Sequence, residues 1–351
     1  MIGGDAMKEI AFYDTKPYDE QYFNKYNKNY KIKYFDIKLN SETAILASGC
    51  EVVIAFVNDK IDKNTISILS DLGVKVIAMR SAGYNNVDVK AAWGKIHVLR
   101  VPEYSPYAVA EHAVTLLLGL NRKIHRAYYR IKDHNFSLNG LTGFDMYGKT
   151  VGVIGTGKIG RVFIDICKGF GMKILAYDLY PIKGLGVEYV SLDKLYENSD
   201  IISLHVPLTK DTHYLIDEKS IKKMKDNVYI INTSRGGLIN TVDLIEGLKS
   251  GKIKGAGLDV YEEEDDLFFE DLSLSIINDD KFSILASFPN VLITAHQGFL
   301  TEEALSNIAR ITLDNIDQYY NGGNLENEVC YMCKEKDKAV SCRKNREDRC
   351  F

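Results

Sequence analysis

Val151-Gly-Val-Ile-Gly155-Thr-Gly157-Lys-Ile-Gly160 reads as a β-strand, a tight turn and the start of a helix, and its three glycines have separate jobs. Gly155 permits the turn, Gly157 has no Cβ to obstruct a pyrophosphate, and Gly160 lets the helix pack closely on the strand. Val151, Val153 and Ile154 make the strand apolar, and Ile159, Phe163, Ile166 and Phe170 then recur at helical spacing. The next apolar run, Lys173-Ile-Leu-Ala-Tyr177, ends on Asp178, 18 residues beyond Gly160. A carboxylate there accepts hydrogen bonds from the adenosine ribose. The stretch therefore predicts a dinucleotide site, and NAD over NADP: Asp178 repels a 2′-phosphate, and Leu179-Tyr180 offers no arginine to hold one.

Working outward, about 150 residues precede this turn, enough for a domain of their own. Lys8 to Asp14, Glu51 to Phe56, Lys75 to Met79 and His97 to Val101 read as short apolar strands. Helices are expected between them over Ser41 to Leu46 and Asn64 to Leu72. Alternation of this kind implies a parallel sheet. Ser105-Pro106 starts a long helix, with Val109, Ala113, Leu116, Leu117 and Leu120 on its apolar face. Further strands are expected over Asp200 to His205, Val228 to Asn232, Gly255 to Asp259 and Val291 to Thr294, and a last helix over Thr301 to Tyr320 returns to the first domain.

Bulk properties exclude several classes. With 351 residues, 46% of them apolar, the chain has core for two domains, and a net charge of −4 is not that of a nucleic-acid binder. The start, Met1-Ile-Gly-Gly-Asp-Ala, lacks a basic and apolar leader, and no stretch is apolar enough to span a bilayer, so a cytoplasmic protein is expected. Cys50 and Cys167 read as small buried hydrophobes. Cys330, Cys333, Cys342 and Cys350 lie in or beside a charge-dense end, 331–351, that reads as a flexible tail with reduced thiols; no metal site is expected.

Ligands of an open α/β sheet bind beyond the carboxyl ends of its strands, so Pro207, Thr233-Ser234-Arg235, Asp259 and His296 should converge on the cofactor. Of seven histidines, His296 is the best acid/base candidate, because it follows a strand end and precedes Gln297-Gly298. His205 also ends a strand, but Val206-Pro207 after it suggests a backbone nucleotide contact. An acid histidine needs a carboxylate to favour its charged form, and Glu262-Glu263-Glu264 after Asp259 supplies one unless that run is only a solvated acidic loop. Arg235, before Gly236-Gly237, presents a planar fork suited to a small carboxylate; a surface salt bridge is the plainer alternative.

The ordered set of glycine turn, Asp178, His205-Val-Pro207, Asn232-Thr-Ser-Arg235-Gly-Gly237, Asp259-Val-Tyr-Glu-Glu-Glu264 and Thr294-Ala-His296-Gln resembles the D-isomer-specific 2-hydroxyacid dehydrogenases, and among them most the bacterial D-lactate dehydrogenases. The likeness runs from about Met7 to Val329 and includes Arg80-Ser-Ala-Gly-Tyr-Asn-Asn-Val-Asp88. It implies that Arg235 binds the substrate carboxylate, Glu264 partners the histidine, and His296 exchanges the proton while a nicotinamide exchanges hydride. It carries cofactor contacts to Gly155, Gly157, Lys158, Ile159, Gly160, Asp178, Val206, Pro207, Thr212, Thr233, Ser234, Arg235 and Asp259. Backbone amides at Ala82-Gly83 are implied as a second carboxylate clamp, with Tyr104 nearby. Many relatives carry proline where Asp265 and Ala295 stand here, which favours the lactate branch.

Phe56 and Phe299, with Tyr104, are the side chains expected to roof the pocket, leaving room for a methyl group; pyruvate and (R)-lactate are the expected pair. Dehydrogenation of larger 2-keto acids, or an NAD-sensing regulator on the same fold, are the alternatives. The expected architecture is α/β, with two Rossmann-like or flavodoxin-like doubly wound domains, parallel sheets and an active-site cleft between them: 1–105 with 300–330 for substrate and 106–299 for NAD. The apolar helix after Pro106 is expected to pair with its counterpart in a homodimer.

Overall fold

A computed structural model describes residues 7–264 and 267–331. Asp265, Asp266, Cys333, Cys342 and Cys350 lie outside the described residues, as does the predicted tail from residue 332 onward. The chain divides into two compact units, one running to Ser105 and resuming at Thr301, the other spanning Pro106–Leu300.

In the first unit β1 (Lys8–Phe12), β2 (Tyr30–Tyr34), β3 (Val52–Ala55), β4 (Val76–Met79) and β5 (His97–Leu99) form one sheet in the order β2-β1-β3-β4-β5. Every pairing in it is parallel. Both faces of a parallel sheet are covered, which is why β3 and β4 are uninterrupted apolar runs with every residue buried. Thr301 caps the helix Glu302–Tyr320, whose Ala309, Leu313 and Ile316 pack with Ile10 and Ile54 of the sheet.

The second unit holds β6 (Thr150–Ile154), β7 (Lys173–Tyr177), β8 (Glu188–Tyr189), β9 (Ile201–Leu204), β10 (Val228–Asn232), β11 (Ile253–Leu258) and β12 (Val291–Ile293). Their order is β12-β11-β10-β9-β6-β7-β8, again with every pairing parallel. Read from β6 outward, the chain first winds one way to β8 and then resumes on the other side at β9. Such a reversal opens a crevice beyond the carboxyl ends of β6 and β9, the site where doubly wound sheets hold nucleotides. Both sheets are thus of the doubly wound α/β kind that the alternating pattern predicts.

Local departures have local causes. The helix expected over Ser41 to Leu46 is a single 3-10 turn, Ala44–Ala47, because Asn40 Oδ1 accepts from the amides of Glu42 and Thr43 and holds the segment as a turn. A helix at Pro17–Tyr26 and the edge strand β2 were not anticipated; β2, Tyr30-Lys-Ile-Lys-Tyr34, carries the apolar–polar alternation of a half-buried edge strand, which a search for continuous apolar runs passes over. The buried face of the helix Lys158–Gly169 is Gly160, Phe163, Ile164 and Cys167, rotated from the predicted stripe, and Phe170 lies outside the helix at 37% exposure. Cys50 and Cys167 are buried free thiols, and burial pushes Cys167 up to about 12.

The helix Pro106–Arg122 buries all five predicted apolar positions. After it, Lys123 adopts φ +52°, and the helix Ile124–Lys132 buries no residue. Asn121 closes this excursion, its Nδ2 donating to Phe144 O (2.8 Å) while its Oδ1 accepts from Phe144 N (2.8 Å).

Candidate active site

At the turn after β6, Gly155 has φ +97°, and a Cβ there would lie 2.4 Å from the carbonyl oxygen of His205, the residue after β9. A Cβ on Gly160 would lie 2.0 Å from Gly155 O, whereas one on Gly157 meets nothing within 4 Å. Two glycines therefore close the turn onto the crevice, and the third leaves open space at the head of the helix Lys158–Gly169, as a pyrophosphate requires. Asp178, past β7, accepts through Oδ2 from Thr156 N (2.6 Å) and Thr156 Oγ1 (3.0 Å), and through Oδ1 from Tyr180 N (2.8 Å). Tyr189 donates to Thr156 Oγ1 (3.0 Å), so Thr156 and Tyr189, which the sequence did not single out, fix the carboxylate's orientation.

Around the crevice, Val206 packs against Gly155, and Thr212 donates to Pro207 O (2.7 Å), shaping the turn beyond β9. Ile159 is half-buried against the core beneath the helix. Ser234 donates to Leu204 O (2.8 Å), which ties the end of β10 to the end of β9. Thr233 Oγ1 is buried with no hydrogen-bond partner among the described residues. Open space before Gly157, an orphaned hydroxyl and a strand-end carboxylate together suit a dinucleotide.

His296 Nδ1 lies 2.7 Å from Glu264 Oε1, and Glu264 Oε2 accepts from Tyr261 N (2.9 Å). The carboxylate is thus held at both oxygens, and His296 Nε2 has no partner among the described residues. His296 adopts φ +51°, a left-handed conformation that costs a non-glycine residue about 1 kcal/mol or more. Asp259 holds it there: its main-chain oxygen accepts from His296 N (2.7 Å), Oδ1 from Gln297 N (2.8 Å) and Oδ2 from Gly298 N (2.8 Å). Thr294 Oγ1 adds a fourth contact at 2.6 Å, leaving Asp259 1% exposed. The visible role of Asp259 is therefore to grip three consecutive amides.

His205 is unsuited to proton transfer. Burial holds its ring down at about 3, so it stays neutral, with Nε2 bonded to Ser203 Oγ (2.9 Å) and the ring packed 4.8 Å from that of Phe163.

Arg235 follows β10, where Asn232 shapes the loop by donating to Arg235 O (2.8 Å) and accepting from Ser234 N (3.0 Å). A Cβ on Gly236 would fall 2.0 Å from both Tyr261 C and Tyr261 O, so the arginine loop lies flush on the backbone that leads to Glu264. Tyr214 braces the same junction, its N donating to Gly237 O (2.9 Å) and its hydroxyl to Glu262. The Arg235 guanidinium reaches its own neighbour, Ser234 O (2.6 Å), and no carboxylate among the described residues pairs with it.

In the first unit, Ala82 O accepts from Arg100 Nη1 (3.0 Å) and Gly83 O from Ser81 Oγ (2.8 Å), while the amides of Ala82 and Gly83 make no bond among the described residues. Tyr104 is half-buried, and its carbonyl accepts from Asn307 (2.6 Å). Phe56 is 5% exposed, with the Arg80 guanidinium 3.8 Å over its ring. Phe299, in the second unit, is 8% exposed.

Residues 114–298 match the family described as D-isomer specific 2-hydroxyacid dehydrogenase, NAD binding domain. A 2-hydroxyacid dehydrogenase homolog of Haemophilus influenzae is 53% identical over 92% of this chain and 99% of its own length. D-lactate dehydrogenase of Escherichia coli is 51% identical over the same shares of the two chains. Among solved structures, the pyruvate reductase of Chlamydomonas reinhardtii superposes with a TM-score of 0.87 at 44% identity, covering 92% of this chain and 99% of that one.

Proposed function

The chain belongs to the D-isomer specific 2-hydroxyacid dehydrogenases, NAD-dependent enzymes, and from that premise we propose that it reduces pyruvate to (R)-lactate using Arg235, Glu264 and His296. The observation that carries the roles is the 2.7 Å Glu264–His296 pair, with the arginine loop seated on the segment that bears the glutamate. Arg235 grips the keto-acid carboxylate at two points and polarises the neighbouring carbonyl. His296 gives the proton on Nε2 to the carbonyl oxygen, so no free oxyanion is released. Glu264, bonded at Nδ1, orients the ring so that Nε2 is the nitrogen left for the substrate. When bound, reduced NAD supplies the hydride to the carbonyl carbon.

Asp178, Thr233, Ser234, Lys158 and Ile159 hold the cofactor in this proposal, and the free amides of Ala82 and Gly83 assist the substrate carboxylate. The similar proteins of E. coli and Chlamydomonas, a D-lactate dehydrogenase and a pyruvate reductase, favour the three-carbon acid. Following NADH absorbance with pyruvate, 2-ketoisocaproate and phenylpyruvate tests it. We expect kcat/KM to be highest for pyruvate by roughly tenfold or more, the scale on which apolar pockets separate side chains. Preference for a longer chain would overturn the substrate, and no NADH consumption with any acid would overturn the catalytic roles.

A homodimer completes the reading. The apolar face of the helix Pro106–Arg122, expected to meet a partner, is buried within its own unit, and the support for a dimer is instead the excursion after it, which exposes Tyr129 (68%), Phe136 (69%) and Leu138 (81%). Twice the chain mass in light scattering at micromolar concentration is expected; a monomeric mass would reject it. No helix among the described residues is long and apolar enough to cross a membrane, which is consistent with the proposed cytoplasmic location.

A further inference from the structure

Three elements of the second unit meet at one polar side chain of the apolar helix Pro106–Arg122. His112, on Pro106–Arg122, has Nε2 3.0 Å from Thr294 Oγ1 and 3.2 Å from Asp259 Oδ1. The threonine hydroxyl has one hydrogen, and its 2.6 Å contact with Asp259 Oδ1 uses it. A carboxylate oxygen can only accept. Both neighbours of Nε2 therefore require a donor, so the hydrogen sits on Nε2 and a closed ring of three side chains results. The Asp259 side chain is 2% exposed, and a donor lost there leaves an acceptor that water does not readily replace.

The ring matters because of what Asp259 holds. It also accepts from the amides of His296, Gln297 and Gly298, which maintain the left-handed turn under the catalytic imidazole. We propose that His112 is a positioning residue of the dehydrogenase reaction: by donating into the Asp259–Thr294 pair it fixes that turn and hence the aim of His296 Nε2. The proposal rests on His296 as the proton carrier. His112 acts through Asp259 and Thr294, so its removal should slow the chemical step and spare cofactor binding.

The test uses the full chain with His112→Leu, His112→Gln, Thr294→Val and His296→Ala, each checked by thermal melting and assayed with NADH and its best keto acid. Leucine keeps the bulk and removes the donor; glutamine restores an N–H at similar reach. We expect His112→Leu to lower kcat roughly 10- to 100-fold, the scale for a misplaced catalytic group, with KM for NADH within about twofold of wild type. His112→Gln should recover most of the loss, and Thr294→Val should fall between. If His112→Leu keeps kcat within about twofold, or is no worse than His112→Gln, the proposal is overturned. Should His112→Leu fail to fold, an unchanged kcat in Thr294→Val overturns it. Normal turnover by His296→Ala would instead sink the reading on which the proposal stands.

Discussion

Replacing His296 with alanine is expected to lower keto-acid reduction by about 10²- to 10⁴-fold in kcat, the usual contribution of a placed general acid, while NADH binding is retained. Among the described residues the ring is hydrogen-bonded at Nδ1 to Glu264 and lies 6.0 Å from the ring of Phe269, so its loss frees one carboxylate but touches none of the contacts around Gly157 or Asp178. Steady-state kinetics with NADH fluorescence titration measure both quantities together. Near-normal turnover would remove His296 from the mechanism.

Gly236→Ala is expected to be almost as damaging, although it alters no reacting group. Its new methyl would stand 2.0 Å from Tyr261 C and O and 2.4 Å from Glu262 N, all backbone atoms with little freedom to yield. Either the loop bearing Arg235 lifts away from the segment bearing Glu264, or that segment gives way. Displacement of a binding group by about 1 Å costs on the order of 10²-fold in kcat/KM, and overpacking costs about 1–3 kcal/mol in stability. Keto-acid saturation curves and melting of the variant measure the two. A variant with wild-type kcat/KM would show that Arg235 does not depend on this seat.

The sequence made the second unit legible wherever chemistry and backbone geometry are written in the same residues. The glycine turn announces itself because only glycine tolerates φ +97° against His205 O, and buried parallel strands announce themselves as apolar runs. Glu264 and His296 were legible as a pair through the resemblance and as strand-end residues. Their supports were not: Thr156 and Tyr189 behind Asp178, Tyr214 against Glu262, and His112 against Asp259 are contacts between residues far apart in the chain. Phe56 shows what a local pattern leaves out. An aromatic after a strand reads as a pocket wall, yet its ring is packed beneath Arg80 and nearly closed to solvent.

The first unit's division between the two ends of the chain has a bearing on biosynthesis. Residues 106–300 form an uninterrupted segment and have their whole core once the ribosome has passed it. The amino-terminal sheet emerges first but lacks Ala309, Leu313 and Ile316 until translation is nearly over. Nascent chains arrested before residue 301 should therefore expose Ile10 and Ile54 and attract chaperones, even though every strand of that sheet has already been made.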